Sequence, residues 1–358
     1  MQSSASGPVE AVIVAGGFGT RLLPLTARRP KHLLEVGGVP FLEHQVSRLA
    51  EAGVAHVVLA TSYRADLFQP VLGDGSRWGI RLSYVQEEEP LGTGGAIRHV
   101  ADVLNPDPDG AVVILNGDIL SGHDLAAQLR DFDRPRDGRS VDVSLHLVEV
   151  EDARSYGCVP TDETGRVTGF VEKSENPLTR QVNAGCYVFR RRVVELIPAG
   201  RVVSVERETF PGLVAEGALV VGFVDNAYWR DVGTPAALVA ASKDLVLGTV
   251  SSPAVDAAPA GAGIHPGADV AVGAVVNAGS TVADRARVEH DALVSGSVLM
   301  PGAVVRAGVR LTDCVVGPGA VVGGRVNLVG VTVGDDAEVT APVDESARVE
   351  CGQVVGLR

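Results

Sequence analysis

The stretch AVIVAGGFGTRLLPLTARRPK, residues 11–31, decides the fold of the chain around it. Its first five residues form an apolar, branched run that is typical of a buried strand, and a glycine-rich loop follows directly at Gly16–Gly19. Glycines let a backbone approach phosphate oxygens with its N–H groups turned inward, while Arg21 and Lys31 supply positive charge. The stretch therefore predicts a polyphosphate site at the carboxyl end of a strand.

The glycine spacing excludes two common nucleotide-binding motifs. A dinucleotide-binding loop requires G-x-G-x-x-G, and a P-loop requires Lys directly after its last Gly, followed by Ser or Thr. Neither pattern occurs at Gly16–Gly19. An ordinary glycine turn of an α/β domain would explain these glycines, but it does not account for the spaced Arg21, Pro24-Leu25-Thr26 and Pro30-Lys31.

The charge of the chain limits its partners. A formal charge of −13 argues against a broad basic face for nucleic acid or anionic lipid, so phosphate binding must be confined to one cleft. The N-terminal residues are polar, and no run of about twenty apolar residues occurs anywhere. We expect a cytoplasmic protein that does not bind membranes.

The first two thirds of the chain alternate strand and helix patterns. Apolar runs predict strands at Ala11–Ala15, Val57–Ala60, Ala111–Leu115 and Val141–Leu147, of which the first three are expected to be parallel. Apolar residues at helical spacing precede Gly53, which is a plausible helix C-cap. These patterns predict a β-α-β domain over residues 9–247, with ligands at the carboxyl ends of its strands.

The last third contains a repeat. Residues 248–262 are small, contain Pro and read as a linker, and branched residues then recur every six positions from Ile264 to Val294. The spacing restarts at Val298, with Arg310 interrupting it. Such repetition predicts a parallel β-helix over residues 263–340, followed by a tail at 341–358. A Val- and Gly-rich β-sandwich is the alternative, although its strands would alternate with period two. The exposed flanks and end coil of a β-helix suggest a homo-oligomer.

The spacing of the glycines, Arg21, Pro-Leu-Thr and Pro-Lys resembles the nucleotide-sugar pyrophosphorylase family, which joins a sugar 1-phosphate to an NTP. The resemblance runs over nearly the whole chain and implies an α/β fold: a Rossmann-like nucleotidyltransferase domain followed by a left-handed β-helix. It is strongest to the branches that act on mannose 1-phosphate and on cyclitol phosphates, such as valienol 1-phosphate of validamycin biosynthesis. His32 and Leu33 depart from the usual Pro-Lys-Pro-Met of the family.

A carboxylate follows the predicted strand at residues 111–115. Asp118, in Asn116-Gly117-Asp118, lies where it can hold Mg²⁺ against nucleotide phosphates, because Mg²⁺ usually takes one or two carboxylates together with phosphate oxygens and water. A single Asp at a strand end can equally cap the next helix. The resemblance implies Asp231 as the second Mg²⁺ ligand.

The resemblance also implies a sugar-phosphate pocket. Lys173 matches the family residue that grips the sugar phosphate, and Glu172 matches the one that accepts hydrogen bonds from sugar hydroxyls. The remaining residues implied to line this pocket are Asn116, Tyr156, Gly157 and Asn183. The catalytic residues implied are Arg21, Lys31, Asp118 and Lys173.

The segment Glu87–Gly95 resembles the base-reading loop of the family. Guanine offers adjacent N–H donors, so a carboxylate such as Glu87 can accept two hydrogen bonds from it, whereas the carbonyls of thymine or uracil would repel that carboxylate. Acidic triplets are more often solvated loop charges, and that alternative stays open for Glu87. The nucleotide-binding residues implied are Ala15, Gly16, Gly17, Gly19, Thr20, Glu87, Gly92 and Thr93.

The expected function is a guanylyltransferase that joins GTP and mannose 1-phosphate or a cyclitol 1-phosphate, with Mg²⁺, and releases pyrophosphate. A thymidylyl-, uridylyl- or adenylyltransferase acting on glucose 1-phosphate is the nearest alternative. Two other classes remain: a non-catalytic regulatory subunit built from the same domains, and an acyltransferase that uses the β-helix. The cyclitol alternative would place the chain in antibiotic biosynthesis.

Overall fold

The computed structural model describes residues 8–154, 156–171, 173–258 and 261–356. The chain divides into two compact units. One contains the residues up to Gly17 together with Val46–Trp229, and the other contains Phe18–Gln45 and the residues from Arg230 onward. The domain limits drawn from the sequence stay a prediction. In the structure, however, the segment with Arg21 and Lys31 belongs to the same unit as the C-terminal repeats.

Short strands and helices make up the chain as far as residue 246. The strands are β1 (Glu10–Ala15), β2 (Glu35–Val36), β3 (Val39–Pro40), β4 (His56–Thr61), β5 (Arg81–Gln86), β6 (Ala111–Asn116), β7 (Ile119–Ser121), β8 (Val143–Glu149), β9 (Gln181–Arg190), β10 (Val220–Val224) and β11 (Trp229–Asp231). The helices are α1 (Phe41–Glu51), α2 (Phe68–Leu72), α3 (Gly92–His99), α4 (Leu125–Phe132), α5 (Arg191–Leu196), α6 (Phe210–Ala215) and α7 (Pro235–Val246). Single 3₁₀ turns occur at Thr20–Leu22 and Lys31–Leu33, and a π-helical turn occurs at Val205–Thr209.

The first unit is built on a seven-stranded sheet of order β10-β8-β9-β6-β1-β4-β5. Strand β1 is parallel to β4 and β6, which confirms the parallel arrangement predicted from the apolar runs. Strand β9 is antiparallel to both β6 and β8. Val12, Val58 and Ile114 are fully buried and belong to one core cluster with Ile97 of α3. The loops after β1, β4 and β6 therefore leave the same edge of the sheet.

Helix α1 ends where its sequence pattern predicts. Gly53 follows it with a φ of +84° and donates its N–H to Ala50 O at 3.0 Å, as a C-terminal glycine cap does. Among the described residues, none of the helices combines the length and the apolar composition that crossing a bilayer requires.

The C-terminal strands form three parallel sheets of short rungs. They are β12 (Ala262–Ile264), β13 (Asp269–Val270), β14 (Val275–Asn277), β15 (Ser280–Val282), β16 (Arg287–Val288), β17 (Leu293–Ser295), β18 (Val298–Leu299), β19 (Val304–Val305), β20 (Arg310–Thr312), β21 (Val315–Val316), β22 (Val321–Val322), β23 (Asn327–Val329), β24 (Thr332–Val333), β25 (Glu338–Val339), β26 (Arg348–Val349) and β27 (Val354–Val355). Each strand pairs in parallel with the strand three places further along the chain, as β15 does with β18, β16 with β19 and β17 with β20. The chain thus winds through the three sheets in turn. This is the predicted β-helix, and its rung spacing is consistent with the left-handed form.

The buried positions of the β-helix correct the simple six-residue spacing. They fall at residues 282, 288, 294, 299, 305 and 311, so every third step is five residues long. Leu311 fills the inward position and is fully buried, while Arg310 beside it is exposed. Arg310 therefore does not interrupt the repeat, because one side of each coil is a residue shorter than the other two.

The rungs continue past residue 340. Strand β26 pairs with β24, and β27 pairs with β25, with Val349 buried on the inside. The described residues of the predicted tail at 341–358 thus include two more rungs. The sequence pattern hides them because Pro342, Asp344 and Glu345 break the run of branched residues.

Candidate active site

The glycine-rich loop begins at Gly16, directly after β1. Ser62, which follows β4, donates its hydroxyl to Gly16 O at 2.5 Å. A Cβ at position 16 would lie 3.0 Å from Ser62 Oγ and 3.3 Å from Glu87 Oε2, which is closer than most side chains tolerate. The loop backbone therefore runs against the Glu87 carboxyl, and glycine at position 16 makes that approach possible.

Glu87 is a buried carboxyl and not a solvated loop charge. Its residue is 4% exposed, whereas Glu88 and Glu89 are exposed. Oε2 accepts a long hydrogen bond of 3.5 Å from Leu91 N, and Oε1 has no partner in the part of the chain that the structure describes. Burial raises the pKa of Glu87, and the Leu91 N–H and nearby His99 oppose this effect more weakly. An acceptor left unsatisfied in a buried place is costly unless a ligand completes it.

The glycines of α3 have a packing role that the sequence did not reveal. Gly92 has a φ of +72°, and a Cβ there would lie 2.6 Å from Val203 O. Gly94 donates its N–H to the same carbonyl at 2.9 Å. Thr93 donates its hydroxyl to Glu206 Oε2 at 2.9 Å and accepts from Val205 N at 2.9 Å. The predicted base-reading loop is thus fastened to the segment at residues 203–206.

Asn116 and Asp118 lie after β6, as predicted. Asn116 is the last residue of β6, Gly117 N donates to Val14 O at 3.0 Å, and Asp118 is partly exposed. Asn116 also hydrogen-bonds the Tyr187 hydroxyl, which is fully buried. Burial raises the pKa of Tyr187 well above its usual value, with the Glu206 carboxylate adding to the effect. Tyr187 therefore stays a neutral phenol beside the strand end.

The predicted sugar-pocket residues lie on β9 and the segments beside it. Asn183 Nδ2 donates to Tyr187 Oη at 2.8 Å. The Tyr156 ring packs edge-on against Trp229 at 5.8 Å between centroids, and Trp229 Nε1 donates to Ala184 O at 2.9 Å. Gly157 precedes Cys158, which exchanges backbone hydrogen bonds with Val171. Lys173 is exposed, and Glu172 lies outside the described residues.

The cations of the loop lie in the second unit. Gly19 has a φ of +65°, and a Cβ there would lie 3.0 Å from Lys31 Cβ. Thr26 Oγ1 donates to Gly19 O at 2.9 Å. Glycine at this position lets the chain before Thr20 pass close to the stem of Lys31.

Arg21 and Asp231 are brought together. The Arg21 Nη2 lies 3.6 Å from Asp231 Oδ2, and the Arg21 side chain is 63% exposed. A Cβ at Gly233 would overlap the Arg21 guanidinium, so this glycine leaves room for the cation. The sequence paired Asp231 with a metal but did not anticipate its contact with Arg21. The guanidinium remains open to solvent on its other side.

The carboxylates suit a magnesium ion by their chemistry. No group of three or more His, Cys, Asp or Glu side chains forms a metal cage within the described ranges. Mg²⁺ does not need one, because it usually takes one or two carboxylates and completes its shell with phosphate oxygens and water. Asp118 in the first unit and Asp231 in the second each offer a partly exposed carboxylate of this kind.

The sequence did not identify three residues that support the site, and it did not explain why His32 and Leu33 differ from the family pattern. Ser62, Tyr187 and Glu206 hold the predicted residues in place. His32 is 1% exposed and Leu33 9% exposed, so both are interior side chains of the second unit. Their departure from the family pattern therefore affects side chains packed in the interior and not exposed ones.

The chain belongs to the nucleotidyl transferase family, whose model matches residues 10–246. A mannose-1-phosphate guanylyltransferase of Mycobacterium tuberculosis is 53% identical over 252 residues, which cover 70% of this chain and 68% of that protein. A mannose-1-phosphate guanyltransferase of Debaryomyces hansenii is 35% identical, and the match covers 68% of this chain and 64% of the yeast protein. The chain thus spans slightly less than two thirds of the yeast relative.

Solved structures agree with the family. HddC from Yersinia pseudotuberculosis, in a complex with GMP-PN, superposes with a TM-score of 0.55 at 28% identity, covering 65% of this chain and 97% of HddC. A putative glucose-1-phosphate thymidylyltransferase from Bacillus anthracis superposes with a TM-score of 0.57 at 23% identity, covering 65% of this chain and 93% of that one. The latter likeness shows the fold alone.

Proposed function

We propose that this protein is a sugar-1-phosphate guanylyltransferase. A phosphate oxygen of the sugar-like 1-phosphate attacks the α-phosphorus of GTP in line. A new O–P bond forms, the bond from the α-phosphorus to the bridging oxygen breaks, and pyrophosphate leaves with that electron pair. The attacking phosphate monoester has a second pKa of about 6 and is mostly dianionic at neutral pH, so no general base is required.

The observation that carries this proposal is the loop that follows β1. It offers glycine backbone at Gly16 and Gly19 and two cations, Arg21 and Lys31, on the short turns that follow. Such a loop suits a ligand with several phosphates. The guanylyltransferase names of relatives at 53% and 35% identity support the same reaction.

Catalysis would rest on positioning and charge. Arg21 and Lys31 stabilise the charge that develops on the α-phosphate and on pyrophosphate, and Lys173 orients the attacking phosphate. Asp118 and Asp231 would hold Mg²⁺, and the ion would supply further positive charge to the phosphates. The contact between Arg21 and Asp231 keeps the guanidinium beside this carboxylate before substrates arrive.

The buried Glu87 supports guanine over other bases. Its Oε1 lacks a partner among the described residues, and its Oε2 faces Gly16. The guanine N1–H and 2-amino groups supply two adjacent donors to such a carboxylate, and they favour its ionised form against the effect of burial. Local repacking around Glu87 would have to accompany base binding, since Oε1 is covered in this structure.

The acceptor is mannose 1-phosphate or a cyclitol 1-phosphate, and the latter would make this an antibiotic-biosynthesis enzyme. The two differ by a ring oxygen and by hydroxyl stereochemistry, which Asn183 and Tyr156 would face. The β-helix also leads us to propose a homo-oligomer, because its first coil leaves Ile264, Val272 and Val275 exposed together and its end needs cover.

The test is pyrophosphate release with Mg²⁺ for GTP, ATP, UTP and dTTP, each paired with mannose, glucose and valienol 1-phosphates. GTP with mannose 1-phosphate or valienol 1-phosphate is the expected best pair. Preference for another nucleotide would contradict the role of Glu87. No release with any pair would favour a regulatory subunit.

A further inference from the structure

The loop that carries Arg21 and Lys31 is fastened to the last coils of the β-helix, and both belong to the second unit. Arg348 Nη2, on β26, donates to the backbone O of Arg21 at 2.9 Å. Cys351 Sγ lies 3.5 Å from Pro24 O. The β-helix thus contacts the backbone of the loop at the residue whose side chain is proposed to act on the phosphates.

The firmest of these contacts joins Arg29 to Asp335. Arg29 Nη1 and Nη2 donate to the two oxygens of Asp335 at 3.0 and 2.6 Å, in a bidentate pair. The Asp335 side chain is 4% exposed and that of Arg29 is 22% exposed. A shielded, two-bond pair of this kind holds a fixed geometry, and removing one partner leaves a buried charge unpaired.

A neighbouring pair provides a built-in comparison. Arg28 contacts Asp336, one residue along in the same β-helix turn, but these side chains are 51% and 61% exposed. Exposed pairs contribute little to stability, because solvent and salt screen them. Asp335 and Asp336 therefore each form an arginine–carboxylate pair with the same loop. The two pairs differ in how far their side chains are exposed to solvent.

We propose that the β-helix acts as a brace for the phosphate-binding loop, with Asp335 as its main positioning residue. Arg29 lies two residues before Lys31, and Thr26 and Gly19 tie the rest of the loop together. Fixing Arg29 and the carbonyl of Arg21 therefore sets the backbone from which both catalytic cations extend. This inference rests on the proposed function of Arg21 and Lys31, and it assigns the β-helix a part in catalysis within one chain.

The experiment compares Asp335→Asn with Asp336→Asn in the full-length protein. Asparagine keeps the size of each side chain and, at position 336, suits the φ of +55°. Because a shift of about 1 Å in a catalytic group can cost about 100-fold, we expect Asp335→Asn to lower kcat about 10- to 100-fold. Its KM for the sugar 1-phosphate should stay within about twofold, since the predicted sugar pocket lies in the first unit. Asp336→Asn should keep near-normal kinetics.

Hydrogen exchange measured on the same proteins tests whether Asp335 holds the phosphate-binding loop itself or only contributes to the stability of the fold. Peptides that cover residues 18–34 should exchange faster in Asp335→Asn than in wild type or Asp336→Asn. Unchanged exchange in that segment, or equal kinetics of the two variants, would overturn the proposal. If the wild-type protein turned over no substrate pair, the proposed function would fail, while the exchange measurement would still decide whether Asp335 holds the loop.

Discussion

Gly185 gives the sharpest test of how the sugar pocket is built. On β9, residues 184–186 face the single residue His146 of β8, because Leu145 pairs with Tyr187 and Leu147 pairs with Asn183. Gly185 lies in this bulge with a φ of +75°. A Cβ there would lie 3.0 Å from Asn116 Nδ2 and 3.1 Å from Ile119 Cγ1. Glycine is thus needed both for the backbone and for the room that Asn116 occupies.

The change Gly185→Ala should therefore carry two costs. Placing alanine in the left-handed region costs about 1–2 kcal/mol. Crowding a packed neighbour costs roughly 1–3 kcal/mol more. Gly165→Ala is the matched control, since Gly165 has a φ of +80° but its Cβ would meet only Gly222 O at 3.7 Å. We expect a loss of about 2–5 kcal/mol at position 185 and about 1–2 kcal/mol at position 165.

Urea unfolding followed by tryptophan fluorescence measures the difference. Trp78 and Trp229 are the two tryptophans of the chain, and both lie in the first unit with Gly185 and Gly165. The change at Gly185 should also displace Asn116 and lower kcat/KM by about 10- to 100-fold, with kcat/KM of Gly165→Ala unchanged. Equal losses of unfolding free energy in the two variants would refute the crowding argument, and normal kcat/KM in Gly185→Ala would separate Asn116 from the site.

Three further changes test single residues. Glu87→Gln should reduce the preference for GTP over ITP, which lacks the 2-amino donor, by about 10-fold or more. The preference is measured as the ratio of kcat/KM for the two nucleotides, and an unchanged ratio would show that Glu87 does not contact the base. Asp118→Asn should abolish turnover while the circular dichroism spectrum and urea midpoint stay within about 10% of wild type, and a variant with near-normal rate would show that Asp118 does not hold the metal. Burial raises the pKa of Glu35 to about 7, so the folded protein holds this proton more tightly than the unfolded chain does. The stability from Glu35 is therefore present at low pH and lost as the pH rises toward 7. The unfolding free energy of wild type relative to Glu35→Gln should fall between about pH 4.5 and 7, and parallel pH curves would contradict this.

The sheet and its active edge were predictable because their signals are local. The apolar runs before Gly16 and Asn116 and the cap at Gly53 each depend on neighbouring residues, and the structure confirms the strands and the helix end. The β-helix was predictable for the same reason. Its shortened side was not, because Val298 and Leu299 are both branched and both buried, so the spacing alone cannot tell which one continues the inward stack.

The contacts that hold the site were not predictable, because they join distant parts of the chain. The bidentate pair of Arg29 and Asp335 spans a separation of 306 residues, and neither residue stands out in its own segment. The burial of Glu87 was also hidden. It is one of three consecutive glutamates, and only the arrangement of β4, β5 and the Gly16 loop distinguishes it from the exposed Glu88 and Glu89.

Glu206 shows how such distant contacts join the two halves of the predicted site within the first unit. Its Oε2 accepts from Thr93 in the base-reading loop and from Ser204 at 3.0 Å, while its Oε1 lies 3.4 Å from the hydroxyl of Tyr187. Tyr187 in turn bonds Asn183. Glu206 lies in the π-helical turn at Val205–Thr209, a wider turn that is uncommon and is frequent at functional sites. One carboxylate thus contacts a hydroxyl beside the predicted nucleotide pocket and a phenol beside the predicted sugar pocket. A shift of α3 on nucleotide binding would therefore reach Asn183 through three hydrogen bonds, Thr93–Glu206, Glu206–Tyr187 and Tyr187–Asn183.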